Sequence, residues 1–238
     1  MNKDHDLNSS LKFGYFSSIS LSIWTLITFG FAMIAIPPVG PYCPGDCMSY
    51  PYSDLLAYYP RDYYWIYLAI FQLFIFIIFM ISNHALATSE KKIFSSISSA
   101  FGLMAATVLL IAYFTQFSVV PISVFKGETE GIALITQYNG HGLFIALEEL
   151  GYISMSISLF FLAFVFSRKN RLEKAIQWIL MAPLLVTALA FVYYSVKYGI
   201  DRDYRFEVAT ITINWLVLIV VGILISIHFK RKMNANSA

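Results

Sequence analysis

Two adjacent carboxylates, Glu148 and Glu149, lie inside the apolar string HGLFIALEELGYISMS. An ionisable group within a membrane-spanning helix costs at least about 2.5–3.5 kcal/mol at the bilayer centre, so it marks a candidate site. A carboxylate held among apolar walls can act as a general acid or base, or anchor the polar end of a ligand. His141 precedes Glu148 by seven residues, two helical turns, and Tyr152 follows it by four, so a stripe of His141, Glu148 and Tyr152 is expected along one pocket wall. Neighbouring helical residues diverge by ~100°, which leaves open which of Glu148 and Glu149 faces inward. The other reading of the pair is structural: one Glu pairs with Lys197 or with amides, and the other reaches the headgroups. A second constellation is YCPGDC, where Cys43 and Cys47 stand as C-x3-C with Pro and Gly between them. That spacing suits a small disulfide staple. A C-x-x-C redox centre lacks the inserted residue, and a zinc site would need more than two thiolates and His141.

The elements that position these residues follow from composition. The 238 residues are 58% hydrophobic and 13% charged, with a mean hydropathy of +0.68. Ordinary globular domains carry about 25% charged residues, and several apolar runs here exceed the ~20 residues that span a hydrocarbon core. The expected fold is all-α, a polytopic membrane helical bundle forming one transmembrane domain over 1–238. Six spans are expected, at about 13–36, 64–83, 93–118, 142–166, 175–196 and 207–229. A barrel would read as short alternating segments instead. The first run is too long for a signal-peptide core and is read as an uncleaved span. Pro183 predicts a kink in the fifth span.

Lys and Arg set the orientation. Eleven lie on the side of the termini: Lys3, Lys12, Lys91, Lys92, Arg168, Lys169, Arg171, Lys174, Lys230, Arg231 and Lys232. Five lie opposite: Arg61, Lys126, Lys197, Arg202 and Arg205. The positive-inside rule then puts both termini in the cytoplasm of a bacterial or archaeal cytoplasmic membrane, with residues 37–63 as an outer cap. Acidic residues, Glu207 among them, fall mostly outside. The cap is rich in tyrosine, read either as an interfacial belt or as a lid with ligand-facing rings. Its SDLLAYY segment is expected to make one or two helical turns capped by Ser53. Arg-Asp-Tyr occurs twice, at 61–63 and 202–204, each at the outer entry of a span, where Asp suits a helix N-cap.

Polar residues recur at one depth. Leu150 to Phe166 carries no charge, ~25 Å of helix, which puts the glutamate pair in the outer third. Asn214, Gln116 and Gln72 fall at similar depth by the same count, as do Tyr113, Tyr152, Tyr193 and Tyr194. Polar groups in lipid must find partners, so a polar cluster between helices is expected. Gly140, Gly142 and Gly151 flank the pair and permit close helix approach. Two serine clusters, at 17–22 and 95–99, are expected to hydrogen-bond within or between helices.

Walker, G-x-S-x-G, H-E-x-x-H and EF-hand motifs are absent. No cofactor and no metal is expected, and there is no basic stripe for nucleic acid. His5 lies in the N-terminal tail, and His84 and His228 lie at the inner edge. A nearly apolar midplane argues against a conduction path. Through PYSDLLAYYPRDYYW, SEKKIFSSIS, VFKGETEGIALITQYNGHG and LEELGYISMS the chain resembles a family of bacterial six-span integral membrane proteins with no established activity. That resemblance implies a prokaryotic membrane and no catalytic residue. Sterol-isomerase-like bundles are similar in architecture alone.

Three functions fit. The first is binding of a small amphipathic or lipid-like ligand by Glu148, Glu149, Gln72, Gln116, Asn214, Tyr152 and Tyr113. The second is an accessory or structural role, with a protein partner or a homo-oligomer and only membrane lipids around it. The third is an enzyme on a lipid or isoprenoid, with Glu148 as general acid or base and His141 or Tyr152 assisting.

Overall fold

The computed structural model describes residues 3–236, with side chains from Asn8 onward; the side chains of Lys3 and His5 lie outside the described residues. Eight α-helices are present, and no strand is found among the described residues. They are α1 (Lys3–Ile34), α2 (Tyr64–Ala85), α3 (Lys92–Ser118), α4 (Val120–Phe125), α5 (Ile132–Ile135), α6 (Leu143–Ala163), α7 (Arg171–Tyr198) and α8 (Tyr204–Asn236). Six of these regions, built on α1, α2, α3, α6, α7 and α8, are long and apolar enough to cross a membrane. The third runs on from α3 through α4, so Pro121 does not end it: Pro121 sits in the first turn of α4, where a missing N–H costs nothing.

The helices close into a ring. α1 packs on α2, α2 on α3, α3 on α6, and α8 returns to α1, while α7 lies in the groove between α6 and α8. α7 is the least buried of the six, with Trp178, Leu189 and Val196 pointing outward. It stays helical through Pro183, which is buried. The first half of α1 lies beside the last half of α8, where Gly14 meets Phe229. The opposite end of the bundle carries the 35–63 segment and is called the cap end below.

Small residues allow the closest approaches. Gly151 of α6 faces Leu109 of α3, and Gly222 of α8 faces the Ser18 carbonyl of α1. The serine clusters do bridge helices. Ser17 of α1 donates to Ser82 of α2. Ser98 of α3 and Ser158 of α6 each donate to the other's carbonyl at 2.7 Å. Ser22 donates to the Ile219 carbonyl of α8.

The cap differs in detail from expectation. Ser53 does not cap its segment: the 3-10 turn Ser53–Tyr58 begins on Ser53 itself, and Tyr52, in the left-handed region at φ 63°, stands before it without a capping side chain. Asp62 does not cap α2 either, because the 3-10 turn Arg61–Tyr63 intervenes and leaves Tyr63 at the N-cap position. The Cys43 and Cys47 sulfurs stand at disulfide distance, with Cα atoms 6.0 Å apart.

Candidate functional site

The polar residues of α6 and α8 form a seam. Glu148, Tyr152 and Ser156 recur every four residues on α6, one face of that helix. Glu207, Thr210 and Asn214 recur at three and four on α8, and all six of these side chains are buried. At the deeper end Asn214 Nδ2 donates to the Tyr152 carbonyl and to Ser156 Oγ, and Ser156 lies 3.3 Å from Thr187 of α7. One turn nearer the cap, the Tyr152 and Tyr113 hydroxyls pair at 2.8 Å. At the cap end of the seam the Glu148 carboxyl faces Glu207 and Tyr113.

Glu148 is the anomaly in this seam. It has 0% exposure, and neither carboxylate oxygen has a hydrogen-bond partner. Buried polar groups are nearly always satisfied, and the polar groups set against these oxygens are only a second carboxyl, Glu207, and the Tyr113 hydroxyl. Glu148 and Glu207 both border a cavity of about 280 Å³. Its walls come from Phe29 of α1, Trp65 of α2, Phe144 of α6 and Trp215 of α8, with Tyr42, Tyr138 and Tyr204 towards the cap. Gln137 also borders it, and its Nε2 is buried without a partner. Trp215 lies eight residues beyond Glu207, ~12 Å deeper, and forms the floor. Met33, Ile36, Tyr42 and Val208 in its lining are exposed, so the cavity is open where the cap-end halves of α1 and α8 meet the 35–63 segment.

No protein-family model, curated protein or solved structure matches this chain. The site is therefore read from its own residues.

The structure separates the residues that sequence reasoning grouped. Glu148, Tyr152, Tyr113 and Asn214 come together in the seam. Gln116 is buried but turns away: it accepts from the Gln137 N–H and donates to the Ile135 carbonyl, tying α3 to the connection before α6. Gln72 is buried on α2 with Oε1 unpartnered, yet does not border the cavity. His141 does not continue the Glu148 stripe, because α6 begins only at Leu143, after an extended Gly142. Exposed His141 borders a separate cavity with Glu149, Arg202 and Asp203. Glu149 pairs with Arg202 at 3.5 Å, not with Lys197. Lys197 lies over the Tyr193 and Tyr198 rings, and Tyr193 is itself exposed.

Glu207, an outer acid by sequence, is a site residue in the structure. Its signal was present: Glu207, Thr210 and Asn214 share the helical spacing of one face. Gln137, Trp65 and Trp215 carried no chemical motif and could not be picked out.

The two Arg-Asp-Tyr triplets meet at one short segment, 136–142. Asp62 accepts from the Tyr138 hydroxyl at 3.3 Å and from Arg61 at 2.6 Å. Tyr204 donates to the Gln137 carbonyl at 3.1 Å. A Cβ on Gly140 would overlap the Asp203 carboxylate, so glycine lets this segment lie on the start of α8 without displacing that side chain. Burial raises the Tyr138 phenol far above its ordinary pKa, helped by Tyr63 and Asp62, which keeps it a proton donor. Burial likewise raises the Asp203 carboxyl, against the Tyr204 N–H and Arg205, which favour its charged form. Segment 136–142 thus clasps α2 and α8 over the cavity.

Proposed function

We propose that this chain is a multi-pass protein of a bacterial or archaeal cytoplasmic membrane, and that it binds a small amphipathic or lipid-like molecule in the Glu148–Glu207 cavity. Both termini are assigned to the cytoplasm, which the Lys and Arg distribution between the two ends supports. The observation that carries the binding reading is the Glu148 carboxylate: both oxygens are buried, neither has a partner, and the group borders a cavity with apolar and aromatic walls. A few convergent polar groups in an apolar pocket are the usual form of a small-molecule site. The lateral rim between α1 and α8 suits a ligand that arrives through the hydrocarbon.

Native mass spectrometry of the gently extracted protein tests this. The wild type is expected to carry a discrete bound mass, and Glu148→Gln, which keeps size and one acceptor, is expected to lose most of it. Equal occupancy in both proteins would overturn the Glu148 site, and a bare chain in both with equal folding would move the reading to an accessory role.

The cap supports the same orientation. We assign Cys43 and Cys47 to a disulfide on the outer, oxidising face. A membrane-impermeant maleimide added to intact cells is expected to label the pair only after reduction. Labelling without reduction removes the disulfide, and labelling of the reduced pair only after the membrane is permeabilised reverses the topology.

A further inference from the structure

We infer that the occupant of this cavity is an organic cation, an amphiphile whose protonated or quaternary nitrogen sits between Glu148 and Glu207; this rests on the binding reading above. The carboxyl groups face each other inside the protein, where two like charges cannot both persist without a cation or a proton. The protein supplies no cation of its own. Neither Lys nor Arg borders the cavity; of the cap-end cations, Arg61 lies on Asp62, Arg202 on Glu149, Lys197 on Tyr193 and Arg205 over Tyr198, and Lys126 is exposed.

The walls select the kind of cation. A hard metal ion takes about six or more oxygen ligands or keeps its waters, and no group of three or more metal-binding side chains occurs among the described residues. Trp65, Trp215, Tyr138 and Tyr204 instead offer aromatic surface, which attracts weakly hydrated ammonium groups through the ring quadrupole. Trp65 and Trp215 also touch edge to face, with centroids 6.3 Å apart, so the two rings hold each other in place. An alkyl chain then finds Phe29, Met33 and the gap between α1 and α8.

The experiment uses three probes of equal chain length, octylamine, octanol and octanoate, with the full chain in phosphatidylcholine nanodiscs. Tryptophan emission is the readout, since Trp65 and Trp215 border the cavity; Trp24 and Trp178 form a constant background. Octylamine is expected to give a saturable change at least tenfold tighter than octanol or octanoate. Glu148→Gln and Glu207→Gln are each expected to weaken octylamine tenfold or more while leaving octanol unchanged, and two separate variants guard against one that fails to fold. Saturable binding of octanol as tight as octylamine keeps the cavity as a site and overturns the cation. No saturable change with any of the three overturns the cation and the binding reading together.

Discussion

Replacing Glu148 and Glu207 together by methionine is expected to raise the thermal stability of the protein while abolishing the bound mass. Methionine is close to glutamate in volume and adapts to irregular space. Exchanging buried charged groups for packed apolar ones is often neutral or stabilising, by up to about 1–4 kcal/mol. Here two carboxyl groups face each other with no basic side chain bordering the cavity, so the exchange removes a buried like-charge contact. Melting in nanodiscs, followed by circular dichroism, reads the effect. A lower melting temperature would mean that the pair holds α6 against α8, and would favour the accessory role over ligand binding. Stability retained with ligand lost is the signature of a residue kept for function at the expense of the fold.

The opposite sign is expected at Gly222. A Cβ there would lie 2.6 Å from the Ser18 carbonyl oxygen and 3.1 Å from the Ser22 nitrogen, both backbone atoms of α1. Backbone cannot rotate aside as a side chain does, so α1 must move off α8. Overpacking of this kind costs about 1–3 kcal/mol. Gly222→Ala is expected in that range and Gly222→Leu beyond it, with the Ser22 bond to the Ile219 carbonyl lost as well. Gly30→Ala on α1 is the control: a Cβ there meets nothing within 4 Å, and Ala is the better helix former by about 1 kcal/mol. Equal melting of the two alanine variants would contradict the close α1–α8 contact.

The spans were legible because a hydrocarbon slab imposes one length on every crossing. That Glu148, Tyr113, Tyr152 and Asn214 share one level of the bundle was legible from the count along each span, since 1.5 Å per residue converts a count into a position. Facing was not. Glu149 meets Arg202 only because the chain after α7 folds back over α6, and no local count reaches across 53 residues. Gln116 fits the depth rule yet serves the connection before α6, whose carbonyls only the fold brings there. His141 matched a helical spacing, but the helix does not extend back to it. Glu207 was hidden by its position three residues into α8, where a carboxylate reads as interfacial. What places it inside is the clasp at 136–142, built on Gly140 and the second Arg-Asp-Tyr triplet.

The rim at Met33 and Val208 has a consequence for how any occupant is supplied. In the membrane orientation proposed above, the part of this opening between α1 and α8 draws on molecules already dissolved in the bilayer, not on those in the surrounding solution. Each methylene added to such a molecule favours the bilayer by about 0.8 kcal/mol, close to a fourfold rise in its membrane concentration. A homologous series dosed through water would then seem to gain potency with every carbon, although contacts inside the cavity stayed the same. Mole fraction in the lipid, not molarity in the buffer, is the concentration scale this opening responds to.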